Sequence, residues 1–359
     1  MNKFVFWEET MKFTTLAALL GGAMLATPVL AQTVNLTAET ASPGGATHLS
    51  ASHMAEIAGT TGIANIQLAD GQTLTNSLQN VAEGKTDIAS TPHILPFLMN
   101  RGVGPYGELG PEKGAELASN LRSVYPFTLG IFALFAFDAK GITGWEGLEG
   151  KKIYNGPPRG GALTNARAMI QIAAGLKDGD GYEGIQANWG QATAIIGGGE
   201  PDAVVLPILF PSALVSTLGS AGKMTMWSLP KDTYESDAMQ KYIKAPGSAP
   251  FEASVASLSA AVGDQWTFVS EDDTFRGFAT VGGDVVHKDM DEELVYKLVS
   301  AYIASLDALK AKAPYGDTVN FDNPSIGMCG ANPMKYHKGA TRAWEDAGYE
   351  IPECAKDTM

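Results

Sequence analysis

Segments with the composition of β-strands alternate with segments of helical pattern along most of this chain, and that alternation limits its fold more than any other feature. Residues 34–39, 64–68 and 87–90 have strand character, and helical patterns at 46–58 and 74–82 lie between them. Together they predict a βαβαβ unit. Strands connected by helices form largely parallel sheets with helices on both faces, and such sheets bind ligands beyond the carboxyl ends of their strands. The expected fold class is therefore α/β.

A second set of alternating segments follows. Residues 152–154, 186–189 and 203–206 have strand character, and helical patterns occupy 163–174 and 191–196. Two such sets predict two lobes around a cleft.

The remaining segments connect and complete these two sets. The interval 95–118 is rich in glycine and proline and predicts a loop. It is followed by a strand at 121–125, and the seven apolar residues at 131–137 predict a strand buried on both faces. Late strands are predicted at 275–281 and 284–286, and a long helix over 291–311. We assign one lobe to residues 32–127 plus 273–359 and the other lobe to residues 128–272.

Residues 1–31 have the pattern of a secretory signal peptide. A basic start at Met11 and Lys12 precedes an apolar stretch over 16–30, which ends in small or apolar residues. That stretch is too short and too interrupted by glycine and proline to span a membrane comfortably. We expect export to the periplasm with cleavage near Ala31, and Met1 and Met11 stay alternative start sites.

The net charge of −14 excludes some classes of partner. A chain this acidic is not expected to bind nucleic acid or anionic membrane surfaces. An anionic ligand would need a locally organised site. Cys329 and Cys354 are the two cysteines, and in an exported protein they predict one structural disulfide, with two unpaired thiols as the alternative.

Residues 156–162 read Gly-Pro-Pro-Arg-Gly-Gly-Ala between a predicted strand and a predicted helix. The glycines allow backbone N–H groups to approach a ligand, and the start of the helix presents unpaired N–H donors with a partial positive charge. Arg159 adds donors that suit a carboxylate or a phosphate. The segment predicts an anion-binding site, and a surface turn that contains an arginine is the alternative.

The sequence has none of the common enzyme motifs. It contains no Gly-x-Ser-x-Gly, His-Glu-x-x-His, Walker loop or Cys-x-x-Cys pair. His48 and His53 are five residues apart, so they do not share one face of a helix as two metal ligands would. We expect a loop contact for His48 and a helix-surface position for His53. Neither catalysis nor a cofactor nor a metal is expected.

Polar residues flanked by glycine or proline follow four of the predicted strands, at 44–47, 70–73, 91–92 and 188–189. Each segment alone is typical of a helix N-cap or a turn. Their shared position beyond strand ends favours ligand contact, because open α/β sheets bind ligands there.

Several of these segments together resemble the TAXI solute-binding proteins of tripartite ATP-independent periplasmic (TRAP) transporters. The similarity covers most of the mature chain and is carried by residues 44–47, 76–89, 141–152, 156–162 and 336–348. The sequence departs from the family where Lys338 replaces a usual proline and where Arg159 replaces a small residue. Glu83-Gly84-Lys85 is shared with other type II binding proteins, so it supports the fold more than the transporter class.

The resemblance implies a two-lobed, type II-like periplasmic binding protein. It would bind a small organic anion, such as an amino acid or a mono- or dicarboxylate, and deliver it to the membrane permease subunits of a TRAP transporter. The predicted ligand-binding residues are Thr47, Gln72, Thr91, Tyr125, Pro158, Arg159, Gly160, Gly161, Asn188 and Trp189. Core packing is an equal alternative for Tyr125 and Trp189.

Two other functions stay open at this point. One is a periplasmic enzyme that acts on an anionic substrate, and the other is a binding protein that feeds a signalling receptor.

Overall fold

The computed structural model describes residues 33–357 except 42, 314, 316, 317 and 331–333, so the predicted signal peptide lies outside the described residues. The strands are β1 Val34–Glu39, β2 Ala64–Ala69, β3 Ile88–Pro92, β4 Leu121–Phe137, β5 Lys152–Gly156, β6 Lys177–Asp178, β7 Gly181–Gln186, β8 Ala203–Ile208, β9 Met224–Trp227, β10 Ser248–Ser254, β11 Trp266–Val269 and β12 Thr274–His287. The helices are α1 Ala46–Thr60, α2 Leu74–Ala82, α3 Ile94–Arg101, α4 Gly110–Ser119, α5 Gly161–Ala174, α6 Trp189–Gly197, α7 Ala213–Ala221, α8 Lys231–Glu235, α9 Asp237–Ile243, α10 Val255–Val262, α11 Glu292–Ala304, α12 Leu306–Ala311 and α13 Lys338–Asp346.

Two long antiparallel strands, β4 and β12, form the centre of the sheet. On one side β12 pairs with β3, and the parallel strands β1 and β2 extend that edge. On the other side β4 pairs with β8, and the parallel strands β5, β7 and β6 follow. The order is β2-β1-β3-β12-β4-β8-β5-β7-β6, while β10 pairs with β12 and the β9–β11 pair joins β4. The pairs β1–β2, β1–β3, β5–β7 and β5–β8 are parallel, as helical connections require.

The buried apolar side chains form separate clusters, to which different stretches of the central strands contribute. Strand β4 contributes Phe127 to one large cluster and Phe132 to another, and β12 likewise contributes Val285 and Phe278. We call the elements on the first cluster (β1–β3, α1–α4 and α11–α13) the first half. The elements on the other two large clusters (β5–β11 and α5–α10) are the second half.

The two central strands change register at two points, one between Asp284 and Val285 and the other where they pass from one core to the next. Thr280 pairs with Gly130 but Val281 pairs with Thr128, so Leu129 is an extra residue in β4. An extra residue of this kind bends a strand and increases its local twist. The bend therefore lies between the cores.

The structure confirms the α/β fold class and most of the predicted elements. The strands predicted at 121–125 and 131–137 are one continuous strand, β4. The helix predicted over 291–311 is divided at Ser305, whose hydroxyl donates to the Ala301 carbonyl at 2.9 Å. A serine that bonds to the preceding turn competes with the helical backbone and commonly bends a helix.

The predicted loop over 95–118 is wrong. The segment forms α3, a 3₁₀ turn at Gly104–Leu109 and α4. Gly102 ends α3 in the left-handed region, and Pro96, Pro105 and Pro111 lie in the first turns of α3, the 3₁₀ turn and α4, where no intrahelical N–H bond is lost. Glycine and proline therefore mark helix ends here.

The tail of the chain packs on the first half. A disulfide joins Cys329 to Cys354, and Arg122 of β4 forms a largely buried ion pair with Asp357 at 2.8 Å. Within the described part of the chain, no helix combines the length and the apolar character that crossing a membrane requires.

Candidate functional site

The loops that start α1 and α2 lie side by side beyond the carboxyl ends of β1 and β2. The Gly71 N–H donates to the Ala41 carbonyl at 3.2 Å, and the Gln72 N–H donates to the Thr40 carbonyl at 2.9 Å. These bonds hold Gln72, which is exposed, beside the end of β1, from which the chain continues to α1, where Thr47 is buried in the first turn.

Neither of these two helices has a side-chain cap. Gly45 caps α1 and Thr73 caps α2 without a side-chain hydrogen bond. By contrast, Ser212, Ser236 and Asp291 accept such bonds at the starts of α7, α9 and α11. Among the described residues, the first N–H groups of α1 and α2 thus have no N-cap side chain as acceptor, which leaves them to an external one.

The start of α5 lies beyond the carboxyl end of β5. Strand β5 shifts register against β7 at Asn155, and the chain then turns through Gly160, whose φ is 102°. Gly160 caps α5 without a side-chain bond, so in the described part of the chain this helix too has no N-cap side chain that accepts from its first N–H groups. Its dipole favours negative charge at that end.

The start of α5 meets the first half of the protein. A Cβ atom placed on Gly160 would lie 3.9 Å from Thr75 Cγ2, and one placed on Gly161 would lie 2.9 Å from Ile94 Cγ2 and 3.9 Å from Pro92 Cβ. Only a residue without a side chain fits at Gly161 in this arrangement. The uncapped start of α5 therefore faces the start of α2 and the end of β3.

The other predicted residues of the second half surround the start of α5. Pro158 and Arg159 are exposed, and Arg159 has no hydrogen bond or ion pair within the described residues. The Ala187 N–H donates to the Gly156 carbonyl at 3.2 Å, which places Asn188 and the exposed Trp189 beside this loop. Asn188 caps α6 without a side-chain bond.

Tyr125 lies in the core of the first half. Its ring stacks on Tyr302 at a centroid distance of 3.7 Å, and its hydroxyl donates to Asp284, which also accepts the Ser90 hydroxyl. Burial raises the pKa of Asp284 to about 6. Of the two alternatives for Tyr125, the structure places it in core packing.

Thr91 and His93 are fully buried at the end of β3. The Thr91 hydroxyl and both ring nitrogens of His93 have no hydrogen-bond partner in the described structure. Burial lowers the pKa of His93 to about 3, so its imidazole is neutral. No sequence motif distinguished His93, which follows Thr91-Pro92 directly.

His53 is buried against α12, so the expected surface position is wrong. Its Nδ1 lies 2.7 Å from Lys312 Nζ, and its Nε2 lies 2.8 Å from the Ser305 hydroxyl. Burial and the Lys312 ammonium lower its pKa to about 4. His48 lies 4.0 Å from Asp70. The described residues contain no cluster of histidine, cysteine and carboxylate side chains that could hold a metal ion.

Two cavities lie away from the helix starts. A depression of about 600 Å³ on the second half is lined by Glu149, Asp178, Tyr182 and Glu183. A void of about 10 Å³ beside Tyr125 is too small for a solute. The candidate site is therefore the α5 start, which lies against the start of α2 and the end of β3, together with the α1 loop that is bonded to the α2 loop.

The sequence matches the model of the NMT1-like family over residues 38–348. The chain therefore belongs to the NMT1-like family.

The solved structures that the chain matches include three bacterial proteins. A protein of Bordetella bronchiseptica matches with 15% identity over 90% of this chain and 94% of the other, at a TM-score of 0.46. The periplasmic sulfonate-binding protein SsuA of Methylobacillus flagellatus matches with 12% identity over 90% of this chain and 92% of the other, at a TM-score of 0.45. The periplasmic ectoine-binding protein of the TeaABC TRAP transporter of Halomonas elongata matches with 11% identity over 87% of this chain and 90% of the other, at a TM-score of 0.43. No curated protein matches the sequence.

Proposed function

We propose that this protein is a periplasmic receptor for a small organic anion, which it binds between two lobes and delivers to a TRAP-type permease. The lobes would be residues 32–127 plus 273–359 and residues 128–272. The separate hydrophobic cores support this division. Membership of the NMT1-like family and the sequence resemblance to TAXI proteins support the receptor role.

The observation that carries the proposal is that the uncapped α5 start of the second half lies against the uncapped α2 start of the first half, whose loop is bonded to the loop before α1. The first N–H donors of α1 and α2 come from the first half and those of α5 from the second. An amino acid or dicarboxylate bound among them would be held by both lobes at once. Such a ligand binds the closed state better than the open state, and that difference in affinity drives closure.

The anion site is local, because the net charge of −14 opposes any anion at long range. Backbone donors at Gly160 and Gly161 would bind a carboxylate, and Arg159 would add a counter-charge. Thr47, Gln72 and Thr91 would contribute from the first lobe, while Asn188, Trp189 and Pro158 would border the site from the second.

A thermal-shift screen of the mature protein tests this function. The panel contains amino acids, monocarboxylates and dicarboxylates, with methanesulfonate and ectoine as compounds of other classes. A ligand at 100 times its Kd stabilises a protein by about 2.7 kcal/mol, which is readily detected. We expect at least one organic acid to raise the melting temperature, and mass spectrometry to recover it unchanged.

Chemical conversion of the bound compound would instead show an enzyme. A panel in which no acid raises the melting temperature would contradict the proposal. Adjacent genes separate the two binding roles: large membrane permease genes indicate a transporter, and a histidine kinase gene indicates a signalling receptor.

A further inference from the structure

The carboxylate of Asp178 collects hydrogen bonds from several elements of the second half. One oxygen accepts from Arg167 of α5 at 2.9 and 2.7 Å, and from Asn155 at 3.2 Å and Gln186 at 3.3 Å. The other oxygen accepts the Gly184 N–H at 2.9 Å. Asn155 and Gln186 are bonded to each other at 2.8 Å. Asp178 thus joins β5, β7 and α5.

The fit of this carboxylate depends on Gly184. A Cβ atom at Gly184 would lie 2.4 to 2.6 Å from the carboxylate atoms of Asp178. The φ of Gly184 is not in the left-handed region, so glycine is required for space and not for backbone conformation. The Asp178 side chain is mostly buried, and although burial alone would raise its pKa, the donors around it hold that pKa below its usual value.

Asn155 is the residue at which β5 shifts register against β7. Tyr154 pairs with Ile185 but Gly156 pairs with Gln186, so Asn155 is an extra residue, and its side chain is fully buried. Bulges of this kind redirect a chain and are frequent beside binding sites. The chain leaves this bulge directly into the loop that leads to Gly161.

We propose that Asp178 is a positioning residue that fixes the bulge at Asn155 and so sets the orientation of the loop 156–160 and of the α5 start. Gln186 is the last residue of β7, so the same carboxylate also holds the loop that leads to Trp189. Arg167 connects both loops to the body of α5. The inference rests on the proposed function, because the positioned loops are those of the proposed anion site.

Hydrogen–deuterium exchange of the ligand-free protein is the decisive test, because it needs no ligand. In Asp178→Ala, the backbone amides of 153–164 and 184–189 should exchange at least tenfold faster than in the wild type. Asp272→Ala is the matched control, since Asp272 also accepts two bonds from an arginine, Arg276, and one from a backbone N–H. It should leave those amides unchanged.

Asp178→Asn preserves the shape of the side chain and should give an intermediate increase in the exchange rate of these amides. This second variant keeps the proposal testable if the alanine variant fails to fold. Unchanged exchange at 153–164 in both Asp178 variants would overturn the proposal. General acceleration over the whole chain, including β1–β3, would show that Asp178 only supports the fold, and would also overturn it.

Calorimetric titration with succinate and L-glutamate supplies the functional readout. Affinity for the probe that binds the wild type should fall at least tenfold in Asp178→Ala and less than twofold in Asp272→Ala. Equal affinity in wild type and Asp178→Ala would refute the positioning role. If neither probe binds the wild type, the hydrogen–deuterium exchange comparison alone tests the positioning role of Asp178. The lack of binding is then a separate result that concerns the proposed function.

Discussion

Arg159 shows how far a single residue can be interpreted from sequence. The motif predicts a counter-charge for an anion, and the structure places an exposed arginine beside the α5 start, with no hydrogen bond or ion pair to any residue that the structure describes. Arg159→Ala should weaken binding of the acidic ligand more than tenfold, because a hydrogen bond to a charged group contributes about 1.5–3 kcal/mol. Calorimetry of the acid found in the screen measures this.

Arg101→Ala is the control for loss of an exposed arginine, since its guanidinium lies over Phe97 on α3 in the first half. An unchanged affinity in Arg159→Ala would remove Arg159 from the site and leave binding to the backbone donors.

Asp284 is a buried carboxyl that the sequence did not distinguish. Because burial raises its pKa from 3.8 to about 6, the folded protein holds this proton more tightly than the unfolded chain does. Its contribution to stability is therefore complete below about pH 4 and is lost as the pH rises to about 6. Two pKa units correspond to about 3 kcal/mol.

Denaturant unfolding of wild type and Asp284→Asn at several pH values tests this sign. The unfolding free energy of the wild type minus that of the variant should fall by about 3 kcal/mol between pH 4 and pH 8. Asp289→Asn is the control, because Lys288 lowers the pKa of that exposed carboxyl, so its effect on stability changes only below about pH 4 and its difference should stay nearly flat between pH 4 and pH 8. If the difference in unfolding free energy between wild type and Asp284→Asn does not change with pH, burial does not destabilise the charged form of the Asp284 carboxyl.

At the scale of elements, the sequence predicted segments whose local pattern and tertiary environment agree. Strand β1 and helix α2 have the predicted bounds. The alternation of apolar residues in β1 and their helical spacing in α2 also match the pattern of positions that these elements bury. The segment 94–119 was missed because its glycines and prolines act at helix ends, and only the packing of α3 on α4 shows this. Gly114, for example, has the Met99 carbonyl 2.1 Å from where its Cβ would be.

The candidate site was predictable in outline for the same reason. Strand ends followed by glycine-flanked polar residues are visible in sequence, and so is the loop 156–162. The partners that position them are not. Asp178, Asn155 and Gly184 come from three separate strands and meet only after β5, β6 and β7 align, so no spacing along the chain marks them.

The α3–α4 turn gives a prediction at this scale. Gly102 has a φ of 59°, and its Cβ would lie 2.2 Å from the carbonyl carbon and oxygen of Gly110. Gly102→Ala should therefore lower the unfolding free energy by more than about 2 kcal/mol, since backbone strain and a backbone collision combine. Gly104→Ala separates the two effects, because Gly104 has a φ of 60° and only Leu98 at 3.9 Å. It should cost about 1–2 kcal/mol, and equal losses in the two variants would show that the collision is relieved without cost.

At the scale of the whole molecule, β4 and β12 are the central connection between the cores. Each is one continuous strand that contributes to both cores, and the register shift at Leu129 lies between them. In the proposed receptor, the hinge would lie at this irregularity, since a few residues there can absorb the change in φ and ψ while each core stays intact. Closure would bring the α5 start against the first lobe, which is the contact that Gly161 makes here.

Gly161→Leu tests that closure directly. Its φ lies outside the left-handed region, so the helix tolerates a side chain, but the new Cβ would meet Ile94 at 2.9 Å. The variant should fold, bind the screened acid at least tenfold more weakly, and keep a larger radius of gyration in small-angle scattering at saturating ligand. Gly190→Leu is the matched control in the first turn of α6, where no atom lies within 4 Å of the Cβ position. If Gly161→Leu binds and compacts like Gly190→Leu, the two lobes do not close through this contact, because a leucine at that point cannot be accommodated without separating them.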